Sequence, residues 1–182
     1  EKEIRKKVAT LDERPCQFLN TVIGKMSQVV VRPQELHALK LTPIVPDMKK
    51  AILVEAFNRI LVTKSRLPDL EPGIDIFVEK EDLLPFEEAK LYGHNAIHSL
   101  MAFMGAEKGF ENMSDLAQDE TIMQTARDAF LLESGAALIQ KYALLDDPLF
   151  TEQGYLGYAN DLMTRIVNPN LSDAIVRVAR DP

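Results

Sequence analysis

Lys90, Asn95 and His98 lie within the run Lys90-Leu-Tyr-Gly-His-Asn-Ala-Ile-His98 and combine a proton acceptor with an amide and an imidazole. On a helix advancing about 100° per residue, positions 90, 98 and 95 fall at about 0°, 80° and 140°, one side of the cylinder. Removing the proton from a substrate hydroxyl requires a base within hydrogen-bond reach and donors aimed at the oxygen where charge develops. This spacing offers both. The same spacing also describes an amphipathic helix with a solvated lysine and one satisfied histidine, so spacing alone leaves both readings open.

The string around these residues is Pro85-Phe-Glu-Glu-Ala-Lys90-Leu-Tyr-Gly-His-Asn95-Ala-Ile-His98-Ser-Leu-Met-Ala-Phe-Met-Gly105. A second string holds Arg165-Ile-Val-Asn168-Pro169, then Asp173 and Val176-Arg-Val-Ala-Arg-Asp-Pro182. Together they resemble the mannitol dehydrogenase family of polyol-specific long-chain dehydrogenases. That family carries Lys, four residues, Asn, two residues, His, and later Arg-x-x-Asn-Pro and Arg-Val-x-Arg-Asp-Pro. A looser echo, Phe18-Leu-Asn-Thr-Val-Ile-Gly-Lys-Met26, stands where the family has Phe-Pro-Asn-Ser-x-Val-Asp-Arg-Ile, and Gly24-Lys25 replaces its Asp-Arg pair.

The resemblance implies roles. Lys90 would be the general base, Asn95 would donate to the developing alkoxide, and His98 would orient the same or an adjacent hydroxyl. A free lysine titrates at about 10.4, so a base of this kind needs burial or a neighbouring cation to lose its charge near neutrality. Arg165, with Asn168 beside it, would hold substrate hydroxyls or an anionic end, a task for which the planar guanidinium fork is suited. The alternative for Arg165 and Asn168 is compensation of the helix dipole and capping before Pro169. Glu87 is either a carboxylate supporting Lys90 or a first-turn helix residue. Asp173 leaves no lysine after the Arg165 segment, which keeps mannitol, mannitol 1-phosphate and hexuronates all open as substrates.

His94 and His98 are spaced as half of a metal site, but Asn95 stands where a zinc-protease helix has Glu, and His37 is the only other histidine. No metal is expected, and the resemblance implies chemistry in which lysine replaces a Lewis acid. NAD or NADP is the implied cofactor. Yet none of the eight glycines falls in a Gly-x-Gly-x-x-Gly turn. Gly154 and Gly157 read as packing or bend positions. The cofactor is therefore expected to be bound mainly by an N-terminal dinucleotide-binding domain absent from this chain, and the chain to be inactive alone.

The elements that must position these groups are mostly helical. One domain over 1–182 is the expectation, resembling the helical C-terminal domain of 6-phosphogluconate dehydrogenase-like enzymes, with minor extended parts. An apolar helix candidate spans Phe18 to Val30 and is ended by Arg32-Pro33. Ala51 to Val62 is rich in branched residues and reads as extended, and Ile74 to Val78 as a short strand. Pro85 fits the first turn of the helix carrying Lys90. Asp119 caps a later helix, Ala136 to Tyr142 forms another turn set broken at Asp146-Asp147-Pro148, Thr151 begins a further helix through Tyr155 and Ile166, and Ser172 caps a last helix over Ile175 and Val178.

Composition bounds the rest. With 46% apolar and 27% charged residues, 182 residues suffice for a sizeable core. Net charge is −7 and the longest basic run is Arg5-Lys6-Lys7, which argues against nucleic acid. The lone Cys16 cannot form an internal disulfide, and no long apolar run or signal-like start is present, so a cytoplasmic protein without a membrane span is expected. Two alternatives remain beside a polyol or sugar-acid dehydrogenase: activity of the mannitol-1-phosphate 5-dehydrogenase type, and a non-catalytic helical interaction module. A 6-phosphogluconate or hydroxyacid type of active site would have Lys, two residues, His-Asn, whereas three residues separate Lys90 from His94 here.

Overall fold

The computed structural model describes residues 2–7, 16–56, 59–68 and 73–180. Parts of three expectations lie outside them: residues 57 and 58 of the extended stretch, residues 69–72 of the break before Gly73, and the closing Asp181-Pro182 of the C-terminal motif. The chain divides into two compact units, residues 1–24 with 57–87, and residues 25–56 with 88–182.

The first unit contains α1 (Lys2–Lys7) and a small sheet of β1 (Thr21–Val22), β4 (Ile60–Thr63) and β5 (Phe77–Lys80). β1 runs antiparallel to β4, with Thr21 opposite Val62, and β4 runs parallel to β5, with Ile60 opposite Phe77. Branched residues favour this pleated pairing. Lys64 and Glu81 pair beside it, and Lys80 lies 4.7 Å over the Phe86 ring at the start of α3 (Leu84–Glu88). Glu87 is exposed.

The second unit opens with an antiparallel pair, β2 (Ser27–Val30) against β3 (Ala51–Val54), and between them lies α2 (Pro33–Ala38). The helix expected over Phe18 to Val30 is therefore replaced by β1 and β2. Val22, Ile23, Val29 and Val30 lose rotamer freedom in a helix, Gly24 interrupts one, and each flank finds a strand partner far along the chain. The extended reading of Ala51 to Val62 holds at both ends, as β3 and β4. The strand expected over Ile74 to Val78 begins only at Phe77.

Helices make up the rest: a π-helical segment Ala89–Asn95 running into α4 (Ala96–Glu107), then α5 (Glu120–Asp128), a second π-helical segment Ala129–Gly135, α6 (Ala136–Lys141), α7 (Glu152–Ile166) and α8 (Ile175–Val178). The fold is thus mostly α with minor strands. Asp119 caps α5 by accepting from Ile122 N at 3.0 Å, and Thr151 caps α7 by accepting from Gly154 N at 3.0 Å. Ser172 does not cap the last helix: the N-cap is Ala174, without a side-chain bond, and the Ile175 amide donates to Glu111 O at 2.9 Å instead. Met101, Leu116, Ile122, Phe130, Tyr155 and Leu162 are wholly buried and form the core of this unit. No helix among the described residues is long and apolar enough to cross a membrane.

Candidate functional site

Lys90, His94 and Asn95 sit in the π-helical segment, and His98 follows in the first turn of α4. A π turn closes through hydrogen bonds between residues five apart rather than four, and such turns concentrate at functional sites. The angles expected from a regular α-helix therefore do not apply. Residues i and i+5, here Lys90 and Asn95, come close to one side of the helix, where an α-helix separates them by about 140°.

Packing shows why the helix widens here. Gly93 faces Phe130 and Tyr155: a Cβ on it would stand 2.8 Å from Phe130 Cε2 and 3.1 Å from the Tyr155 hydroxyl. The Tyr158 hydroxyl, from α7, donates to the Ala89 carbonyl at 3.3 Å. The segment buries Ala89, Gly93 and His94 and leaves Leu91, Tyr92 and Asn95 exposed. Lys90 and His98 lie between these extremes. Lys90 makes no hydrogen bond or ion pair with any described residue, an unusual state for a half-buried cation.

His98 is anchored. Its Nε2 lies 3.0 Å from Asp173 Oδ2, with side-chain exposures of 12% and 10%. Asp173 Oδ1 in turn accepts from Arg177 Nε at 2.8 Å and Nη2 at 2.5 Å. Burial pushes the Asp173 carboxyl up, but the hydrogen bonds and charges of His98 and Arg177 outweigh it and hold the group below its ordinary value.

Arg165, in the last turn of α7, meets Glu55 with a bidentate fork: Nε to Oε1 at 2.8 Å and Nη2 to Oε2 at 2.7 Å. Nη1 reaches Asp161 Oδ2 at 3.0 Å. Glu55 also accepts from the Met26 amide at 2.9 Å. Burial raises the Glu55 carboxyl, yet Arg165 and that amide together bring it below the ordinary carboxylate value, while the bond to Glu55 pushes the guanidinium still higher. The arginine expected to hold substrate thus has its fork engaged by carboxylates. Asn168 serves its own loop, its Oδ1 accepting from Asn170 N at 3.0 Å and Nδ2 at 3.1 Å.

His94 links these groups. It is buried at 6% exposure, its ring centroid is 6.2 Å from that of His98, and the charges of His98, Arg165 and Lys90 all act upon it. Burial first, then those three neighbours against the opposing Glu55, pull its titration down to about 4, so it is a neutral imidazole at physiological pH. The structure therefore gathers Lys90, His98 and Arg165 around a neutral His94, with Asn95 on the exposed side of the same turn. No group of three or more His, Cys, Asp or Glu suited to a metal ion occurs among the described residues.

Sequence reasoning missed Glu55, Asp161 and Tyr158, and did not foresee that Asp173 grips His98. Asp161 and Asp173 left a trace, each four residues before an arginine, Arg165 and Arg177. Glu55 is 110 residues from Arg165, and no local pattern marks such a pair.

Comparison with known proteins agrees with this architecture. Residues 82–182 match the family model for the mannitol dehydrogenase C-terminal domain. A mannitol-1-phosphate 5-dehydrogenase of Brevibacillus brevis is 36% identical over 134 residues, which cover 74% of this chain and 33% of that protein. One of Halalkalibacterium halodurans is 30% identical over 176 residues, 96% of this chain and 43% of the relative. The chain thus spans less than half the length of these curated relatives. Among solved structures, a D-sorbitol dehydrogenase in substrate-free form aligns with 99% of this chain and 35% of its own, at a TM-score of 0.69 and 20% identity. The Pseudomonas fluorescens mannitol 2-dehydrogenase, a ternary complex with NAD and D-mannitol, aligns with 88% of this chain and 31% of its own, at a TM-score of 0.67 and 18% identity. At these identities the structural likeness speaks for the fold.

Proposed function

Since the chain belongs to the mannitol dehydrogenase C-terminal domain family, we propose that it forms the substrate side of an NAD(P)-dependent, zinc-independent dehydrogenase that interconverts a polyol alcohol and its ketone. Lys90 is the general base. The observation that carries this reading is a half-buried lysine without an ion-pair partner among the described residues, on the π turn that also bears Asn95.

Oxidation of a secondary alcohol removes the hydroxyl proton and a hydride from the same carbon. Lys90, in its neutral form, takes the proton at Nζ. The Asn95 amide donates to the oxygen as charge gathers there, without a protonation event of its own. His98, fixed by Asp173 through Nε2, offers Nδ1 to the same or a neighbouring hydroxyl. Arg165 is engaged by Glu55 and Asp161, so the positive charge near the developing alkoxide comes from Lys90 once it has taken the proton. Hydride acceptance belongs to the nicotinamide cofactor, and the eight glycines of this sequence include no Gly-x-Gly-x-x-Gly run for it. The cofactor is assigned to an upstream domain of the whole protein.

A phosphorylated polyol is the favoured substrate within this class, supported by the names of the curated relatives. Full-length protein assayed on mannitol, mannitol 1-phosphate, sorbitol and a hexuronate with NAD and NADP tests the reading. Lys90→Ala should lower kcat by about 10²–10⁴, the usual contribution of a general base. Turnover within about twofold of the native enzyme would rule Lys90 out.

A further inference from the structure

The π turn that carries Lys90 and Asn95 has a side chain built into its backbone. Tyr158 approaches from α7, 69 residues away from Ala89. Its ring is held edge-on by Phe130, with centroids 5.5 Å apart at 80°, and by Tyr155, 5.6 Å apart at 82°. Pinned in this way, its hydroxyl donates to the Ala89 carbonyl at 3.3 Å and lies within electrostatic reach of the His94 backbone amide. Ala89 and His94 are five residues apart, the separation that closes a π turn. A phenol can donate to a carbonyl and accept from an amide at once. Inserting such a group into the helical ladder is one of the few ways to hold it open.

We propose that Tyr158 is a positioning residue for the reaction: its hydroxyl maintains the wide turn and so keeps Lys90 and Asn95 on one side of the helix, facing one substrate oxygen. This rests on the reading of Lys90 as the base. In this role the phenol acts through the turn and not on the substrate. Burial pushes its titration up, so it remains a protonated donor. Were the turn to tighten to an α-helix, Asn95 would swing towards about 140° from Lys90, and the two could no longer share a ligand atom.

Tyr158→Phe keeps the ring and its edge contacts and removes only the hydroxyl. In the full chain, amide hydrogen exchange at His94 should accelerate about tenfold, the loss expected for one buried hydrogen bond, while the Leu162 amide in α7 stays slow. In the complete enzyme kcat should fall about tenfold or more with KM changed less than about twofold, because the aligned pair acts in the transition state. Ser134→Ala is the control. It removes the 3.1 Å partner of the Tyr155 hydroxyl from the same aromatic cluster without removing a hydrogen bond to the turn, and should leave kcat unchanged.

Unchanged His94 exchange in Tyr158→Phe overturns the proposal. So does faster exchange with unchanged kcat, provided Lys90→Ala is still inactive. If Lys90→Ala is active, the base assignment falls by itself, and this proposal falls with it even where the exchange shows that Tyr158 holds the turn. Should Tyr158→Phe not fold, the native chain decides: its Tyr158 hydroxyl proton should give an NMR cross-peak to the His94 amide, and absence of that cross-peak overturns the contact.

Discussion

His98 Nε2 and Asp173 Oδ2, 75 residues apart in sequence, lie 3.0 Å from each other in a largely enclosed pair. The contact ties α4 to the segment leading into α8 and leaves only Nδ1 of His98 to face a ligand. Asp173 also binds Arg177, so it carries three side-chain hydrogen bonds on two oxygens. Asp173→Ala should lower stability to urea by about 1–3 kcal/mol, since His98 and Arg177 both lose their partner. Asp173→Asn should cost less. A loss below about 0.5 kcal/mol for the alanine variant would show that the contact adds nothing.

His94 makes stability depend on pH. Its folded titration lies at about 4 and that of an unfolded histidine at about 6.5. The unfolded chain therefore binds the proton first: the contribution is complete above about pH 6.5 and is lost as pH falls towards about 4, at most by ~3 kcal/mol. The groups that face this imidazole are His98, Arg165, Lys90 and Glu55. His94→Gln should flatten the unfolding free energy between pH 6.5 and 4.5, measured by urea titration. Glu55 and Asp173, both held below their ordinary values, add losses only below about pH 4.5. A native protein equally stable at pH 7 and pH 4.5 would contradict the assignment.

Arg165 and Glu55 should behave as a coupled pair. Arg165→Leu strands a carboxylate that is 12% exposed and should destabilise by about 2 kcal/mol or more. The double variant Arg165→Leu/Glu55→Leu should recover part of that loss, because no unpaired charge remains. Urea unfolding of Arg165→Leu, Glu55→Leu, the double variant and the native chain checks this. Strict additivity would mean that the fork contributes no coupling.

Two glycines of α7 should respond with opposite signs. A Cβ at Gly154 would stand 1.7 Å from the Pro148 carbonyl oxygen, part of a backbone that the Thr151 cap holds close. Gly154→Ala should cost about 3 kcal/mol or more. Nothing lies within 4 Å of a Cβ at Gly157, so Gly157→Ala should stabilise by up to about 1 kcal/mol through helix propensity. Thermal unfolding of both variants measures the contrast.

Local chemistry is what the sequence by itself determined. The helix starts at Asp119 and Thr151, the helices between the prolines, the family and the grouping of Lys90, Asn95 and His98 on one helix all follow from residues within a few turns of one another. The tertiary structure decided what depends on distant partners. Val22 and Val29 became strand residues because Leu61 and Ile52 lay opposite them. Arg165 was given to Glu55 and His98 to Asp173. The helix opened into a π turn where Gly93 meets Phe130 and the Tyr158 hydroxyl reaches Ala89. A residue carries its own propensity wherever it stands, but strand pairing, charge compensation and the filling of space belong to pairs, and the chain brings those pairs together only when it folds.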